Sequence, residues 1–195
     1  MKSLIFKPEL AQAIFEGRKT QTRRIIKPQP PTSLSQIVNT NKWTYTCSDI
    51  DEEWTPKFQI GDRFYVREKW KLHRSSSEFV RIGQSPYFVI YHNAHMRECF
   101  DEQLSKIYDG RNRWRSPLFM PEWASRSICK VTDVRVERLN DIAIDDVQAE
   151  GCSDSPLGKL ADAVLFPKLW DSIHGTGAWD KNPFVWVYEF KKEIK

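Results

Sequence analysis

The pattern of apolar and polar positions changes period several times along the chain. In FKPELAQAIFEG, Leu10 and Ile14, and Ala11 and Phe15, recur at i, i+4 and predict a short amphipathic helix. Pro8 suits its first turn, where a missing N–H costs nothing. Gly17 fits the left-handed residue that closes such a helix, and the chain then runs extended into RRIIK. In IGDRFYVREKW the period is two: Phe64, Val66 and Glu68 share one face of a strand 63–69, and Tyr65, Arg67 and Lys69 the other. EFVRIGQSPYFVIYH reads as two strands around a turn at Gly83–Pro86. RSICKVTDVRVERL reads as a long strand whose apolar phase slips near Lys130, the mark of a bulge. NDIAIDDVQAEG reads as a short helix ending at Gly151, LADAVLFPKLWDSI as a second helix broken or restarted at Pro167, and NPFVWVYEFKKEI as a final strand.

Two stretches break this regularity. Residues 28–58 begin PQPPTSLSQIVNTNKW, rich in Pro, Ser, Thr and Asn with little periodicity. They read as an insertion that leaves the domain and closes back as a hairpin around Trp43 and Tyr45. Residues 94–124 read as irregular. No internal repeat is visible. Several strands with few short helices predict an α+β chain, a single domain over 1–195 built as a partly closed, mostly antiparallel β-barrel with helical decoration.

Composition narrows the function classes only a little. The 195 residues are 40% hydrophobic and 13% aromatic, enough to bury a core. A net charge of +4 leans towards anionic partners, but 26 acidic residues are interspersed with the basic ones, so charge alone is no nucleic-acid signature. No apolar run reaches the length of a membrane span, and MKSLIFKPELAQ lacks the apolar stretch of an export signal. Four scattered cysteines with no CxxC pair then imply reduced thiols in a cytoplasmic protein.

The chemistry-bearing candidates are few. There is no phosphate loop and no dinucleotide fingerprint. His92, His95 and Cys99 form an H-x2-H-x3-C cluster, whose plainer reading is a strand end and a loop; no metal and no cofactor is expected. EGRKTQTRR holds lysine, arginine and threonine with no apolar residue. Regular strand geometry would send Lys19 and Thr22 to opposite faces, so they converge only if Lys19 still belongs to the turn after Gly17. A lysine whose pKa is lowered by burial can then serve as base to a threonine hydroxyl; the plain alternative is a solvated basic turn. Glu150 stands at the end of a predicted helix, where the helix dipole disfavours an anion. A carboxylate placed at such a cost either pairs with a surface cation or has another task.

GRKTQTRR resembles the G-x-K-x-x-T-x-R signature of the ASCH domain family, and Ala149-Glu150-Gly151 after a basic strand and short helix resembles its second block. GDRFYVREKW and NPFVWVYEFK are similar to strands of phage and prophage members. The likeness spans nearly the whole chain in order and is weakest over 28–58. It implies a PUA-like β-barrel with short helices at its rim, and a cleft that takes RNA, a nucleoside or a modified base. One branch of the family hydrolyses the acetyl amide of N4-acetylcytidine, which implies Lys19, Thr22 and Glu150 as the catalytic group. In that reading Thr22 attacks, Lys19 takes its proton, and Glu150 orients Lys19 or protonates the leaving amine. The alternative is a non-catalytic binding module, or a ribonuclease. There Lys19, Arg23, Arg24 and Arg67 meet phosphate and Trp70 or Trp114 stacks on a base. Glu68, on the apolar face of its strand, is expected at the cleft wall, bound to Lys19 or substrate.

Overall fold

The computed structural model describes residues 1–31, 34–39, 42–47, 50–74, 87–92, 96–98, 108, 110, 113–152 and 159–193. Strands β1 (Lys2–Ile5), β2 (Gln21–Ile25), β6 (Arg63–Arg67), β10 (Ile128–Arg138) and β11 (Phe184–Glu193) form the main sheet, in the order β1-β6-β10-β11-β2. All its pairings are antiparallel except β1 with β6. The main sheet stays open and is not the partly closed barrel expected from the sequence. β1 and β2 remain its two edges, and what joins them is a side chain: Arg24 Nη2 donates to the Ile5 carbonyl at 3.2 Å.

The centre of the sheet follows from the alternation in NPFVWVYEFK. Phe184, Trp186, Tyr188 and Phe190 pack on one face, and Val185 and Val187 on the other. A strand buried on both faces needs cover on both. Helix α1 (Pro8–Phe15) supplies the first cover, together with Tyr45, Cys47 and Trp54 from the sheet of β3 (Leu34–Asn39), β4 (Lys42–Cys47) and β5 (Ile50–Trp54). Helices α2 (Ile144–Ala149) and α3 (Lys159–His174) supply the second. The register of β10 on β11 shifts between Val131 and Asp133, a bulge within two residues of the expected slip at Lys130.

Residues 28–58 are not a loop. β3, β4 and β5 form an antiparallel three-stranded sheet, and β4 lies in the middle. Tyr45 and Cys47, two apart, turn inward together with Trp54. Tyr45 meets the Trp186 ring edge-on at 5.1 Å and donates its hydroxyl to the Val134 carbonyl at 2.9 Å. The insertion is thus part of the core, held by Tyr45, Trp54 and the smaller Cys47, set among polar residues that hid the pattern.

α3 is continuous through Pro167, where a break was expected. Proline removes one helical hydrogen bond, but Phe166 and Trp170, one turn apart on either side of it, both pack in the cluster around Val185 and Val187. Tertiary packing on both sides of the proline outweighs the lost bond. A third small sheet holds β7 (Trp70–Arg74), β8 (Tyr87–Tyr91) and β9 (Met96–Glu98). β8 is the second strand expected around Gly83–Pro86; the first strand and its turn lie outside the described residues, as do His95 and Cys99. Among the described residues no cluster of three metal-ligating side chains occurs, and no helix is long and apolar enough to cross a membrane.

Cys129 lies at the centre of the main core, and burial pushes its thiol up to about 12. Thiol reagents attack the thiolate, so brief alkylation of the folded protein followed by peptide mass mapping is expected to leave Cys129 unmodified while the half-buried Cys152 reacts. Equal labelling of the two would contradict this packing.

Candidate functional site

The GRKTQTRR segment supplies the site because of where its strand begins. α1 ends at Phe15, Gly17 takes φ +81°, and β2 starts only at Gln21. Lys19 therefore lies in the turn, its backbone N–H donating to the Ala13 carbonyl at 3.1 Å. That is the one condition under which Lys19 and Thr22 can converge. Thr20 ties the same turn to the end of α2, its N–H donating to the Ala149 carbonyl at 2.9 Å.

Glu150 caps the C-terminus of α2, and Gly151 follows at φ +83°. Lys19 Nζ lies between both: it donates to the Glu150 carboxylate at 2.5 Å, the Glu150 carbonyl at 2.8 Å and the Gln21 carbonyl at 2.7 Å. The ammonium offsets the carbonyl-rich helix end that would repel Glu150 alone. Lys19 and Glu150 are both buried, at 2% and 5% of their full exposure. Burial lowers the Lys19 pKa, and the charge and hydrogen bond of Glu150 oppose that shift without reversing it. Gly151 is required here for two reasons. Its backbone is left-handed, and a Cβ would stand 3.0 Å from Lys19 Cβ and 3.1 Å from Ala13 Cβ.

Thr22 is buried, and its Oγ1 accepts from Arg24 Nη1 at 2.9 Å rather than from Lys19. Lys19, Thr22 and Glu150 nonetheless line one small cavity of about 30 Å³, together with Arg23, Arg24 and the α3 residues Phe166, Leu169, Trp170, Ile173 and His174. Beside it is a groove of about 440 Å³. Leu10, Arg24, Ile173 and His174 border both spaces, and Lys7 and Lys69 add charge to the groove. Among the described residues of 28–58, none lines either one. Burial, reinforced by the charges of Arg24 and Lys27, lowers the pKa of His174, whose ring lies 4.2 Å from that of Trp170.

Strand alternation separates the remaining candidates. Arg24 turns to the α1 side and stacks over Phe6 at 4.9 Å. Arg23 turns to the α2 side, where its fully buried guanidinium binds Glu137 and Asp146, each at 2.9 Å, and Glu150 at 3.3 Å. Burial pushes the Asp146 carboxyl up, but hydrogen bonds from Gln21 and Arg23 and the charges of Arg23 and Arg135 hold it below its ordinary value. Arg23 is thus committed to carboxylates and is not placed to meet phosphate.

Glu68 faces inward, but not to Lys19. Arg126 grips it with two bonds of 2.8 Å and stacks on Tyr91 and Phe15. The apolar face of its strand looks to the third sheet at that point, so the carboxylate joins a structural pair instead of the cleft. Trp70 is buried in that sheet's core and cannot stack on a ligand. Arg67 donates to the Tyr65 hydroxyl and the Leu118 carbonyl. Trp114 stays partly exposed, with Lys69 and Lys71 at 5.9 and 5.0 Å from its ring. The residues missed from the sequence are Trp170 and His174. Their i, i+4 spacing on α3 was legible, but only the fold sets that turn against β2.

The chain matches no family model and no curated protein. Among solved structures it matches protein EF3133 from Enterococcus faecalis V583, family model DUF984, at 10% identity and a TM-score of 0.43, over 98% of this chain and 80% of that one.

Removing one partner of a buried ion pair strands the other charge, which costs about 3 kcal/mol or more, whereas an apolar pair of similar volume is often tolerated. Lys19→Met is therefore expected to lower unfolding stability in urea by about that amount, and Lys19→Met with Glu150→Leu to recover most of it. A single substitution costing under about 1 kcal/mol would show that the pair is not desolvated. Gly151→Ala is expected to cost about 1–3 kcal/mol in the same titration through backbone strain and the Lys19 contact.

Proposed function

We propose that the protein is an ASCH-like amidohydrolase that removes an acyl group from the amino group of a nucleoside or base, of the N4-acylated cytidine kind. The reading is carried by one observation: Lys19, Thr22 and Glu150, which the sequence resemblance nominates together, line a single small cavity beside a larger groove. A buried ionisable pair in a cleft is costly for stability and is the arrangement acid–base chemistry needs.

The chemistry runs through this pair. Proton transfer from Lys19 Nζ to Glu150 Oε2, along their hydrogen bond, leaves an uncharged amine and acid, the form a desolvated site favours. The amine then turns to Thr22 and accepts its hydroxyl proton as Oγ1 attacks the acyl carbon. The Arg24 guanidinium, already bound to Oγ1, stabilises the charge that develops there. The C–N bond breaks, and the leaving nitrogen takes the proton held by Glu150. Water hydrolyses the threonine ester by the same sequence of transfers and releases the carboxylic acid.

A second reading, binding of nucleic acid without turnover, is favoured by Trp114 among Lys69 and Lys71, an aromatic platform beside cations. Deacylation of N4-acetylcytidine, read by mass, separates the two. Under the first reading Lys19→Ala loses on the order of 10²–10⁴-fold in rate, and Lys19→Arg fails nearly as badly because guanidinium cannot accept a proton. Thr22→Val is inactive while Thr22→Ser keeps part of the rate. Under the second, Lys19→Arg is nearly silent, and Lys19→Ala weakens RNA binding in a salt-dependent way. Full deacylation activity in Lys19→Ala rules out the catalytic role.

A further inference from the structure

The groove outside the inner cavity has a one-sided composition. Among the described residues its lining is six apolar residues and four basic ones, Lys7, Arg24, Lys69 and His174, with no carboxylate. Small-molecule sites have mostly apolar walls with a few convergent polar groups, and here every such group is basic. The groove also has a direction. Arg24 and His174 border the inner cavity as well, whereas Lys7 and Lys69 line the groove alone. The main sheet brings those two lysines together. β1 and β6 run parallel with Ile5 opposite Arg67, and Lys7 and Lys69 each lie two residues past that register, at the same end of the pair. The Phe6 N–H still donates to the Arg67 carbonyl at 2.9 Å, which keeps the two chains side by side up to the lysines. Lys7 Nζ bonds neutral groups, the Ser172 carbonyl at 3.2 Å and hydroxyl at 2.8 Å, so one of its three N–H groups is left over. Lys69 is exposed, with the Trp114 ring 5.9 Å from its Nζ, and neither lysine pairs with a carboxylate among the described residues. Cations gathered without acids repel one another, and an anion bound between them relieves that repulsion.

We propose that the groove takes a mononucleotide rather than a nucleoside, with Lys7 and Lys69 receiving its phosphate monoester and the acylated base lying at the inner end. This inference rests on the amidohydrolase reading above and deepens it by naming the substrate class. The inner cavity of about 30 Å³ has room for an acyl group and not for a heterocycle, so base, sugar and phosphate stay in the groove. Leu10 and Ile173, which border both spaces, offer the base apolar surface next to that cavity. The phosphate then falls at the end lined by Lys7 and Lys69, away from Lys19 and Thr22. A volume of about 440 Å³ lies within the range of roughly 300–1,000 Å³ usual for small-molecule sites, which suits one nucleotide. Binding energy gained at the phosphate, remote from the reacting bond, holds the acyl group beside Thr22.

The test compares N4-acetylcytidine with its 5′-monophosphate. Binding is measured calorimetrically in a Thr22→Val background, where the acetylated ligands are not consumed, and deacetylation of both by the unsubstituted protein is read by mass. The expected result is tighter binding of the monophosphate by on the order of 10-fold, the size of a hydrogen bond to a charged group. That advantage narrows in Lys69→Ala, nearly vanishes in Lys7→Ala with Lys69→Ala, and shrinks as salt is added. Lys7 also holds Ser172, so Lys69→Ala, a change at an exposed side chain, decides should the double variant not fold. Equal affinity for the two ligands, or an advantage unchanged in Lys69→Ala, overturns the phosphate site, and deacetylation of either ligand then leaves the amidohydrolase reading standing. A lysine-dependent preference for the monophosphate with no deacetylation of either ligand overturns the amidohydrolase reading and leaves the phosphate site. A short RNA with an internal N4-acetylcytidine that binds tighter than the monophosphate overturns the choice of a mononucleotide. Absence of both binding and deacetylation overturns site and reading together.

Discussion

The hydrogen bond between Lys19 and Glu150 joins two segments 131 residues apart and sets the geometry of everything around them. One comes from the turn that leaves α1, the other from the end of α2. Neither charge would be stable where it lies without the other. A lysine removed from water loses far more than a surface ion pair returns, and a glutamate at a helix C-terminus opposes the dipole. Together they close the helix end, fix the start of β2 and leave room for no side chain at Gly151. The edge of the main sheet is built around this pair, and both residues line the inner cavity.

A local rule decides how the neighbouring charges are used. β2 is an edge strand, so its residues alternate between the α1 face and the α2 face. Thr22 and Arg24 fall on one side and Arg23 on the other. Adjacent arginines that look alike in sequence thus have different tasks. Arg24 bridges the two edge strands and bonds the Thr22 hydroxyl. Arg23 organises a carboxylate network in which Arg135 also takes part, through Asp146 and Glu137.

Much of this was legible from pattern alone. Pro8, the i, i+4 apolar pairs and Gly17 mark α1, and the two-residue period of NPFVWVYEFK marks β11. The need for Lys19 to precede the strand if it is to meet Thr22 was a matter of strand geometry, and β2 does begin after it. What was not legible depends on contacts between distant segments. Residues 28–58 carry few inward residues, so their sheet is visible only once Tyr45, Cys47 and Trp54 find Trp186 and its neighbours. Glu68 was rightly expected to need a partner, but sequence cannot say that Arg126, 58 residues on, supplies it. Trp70 was read as a surface platform because aromatic content does not tell burial; its strand packs it into the third sheet. The partly closed barrel failed for a similar reason: strand count does not say whether the edges meet, and here an arginine spans the gap instead.

The state of Lys19 carries the last step of the argument. An ammonium has three protons to donate, and all three are matched by acceptors. In that state the nitrogen offers Thr22 no lone pair. Loss of one proton to Glu150 frees one, and burial favours that loss by penalising the charged form. The same desolvation that makes the pair costly for folding therefore makes it responsive to whatever fills the adjoining cavity. Under the proposed reading, a ligand that fills the cavity strengthens the pressure to neutralise. A pair left open to solvent would keep its charges whether or not ligand were present, and could not couple proton transfer to occupancy of the site.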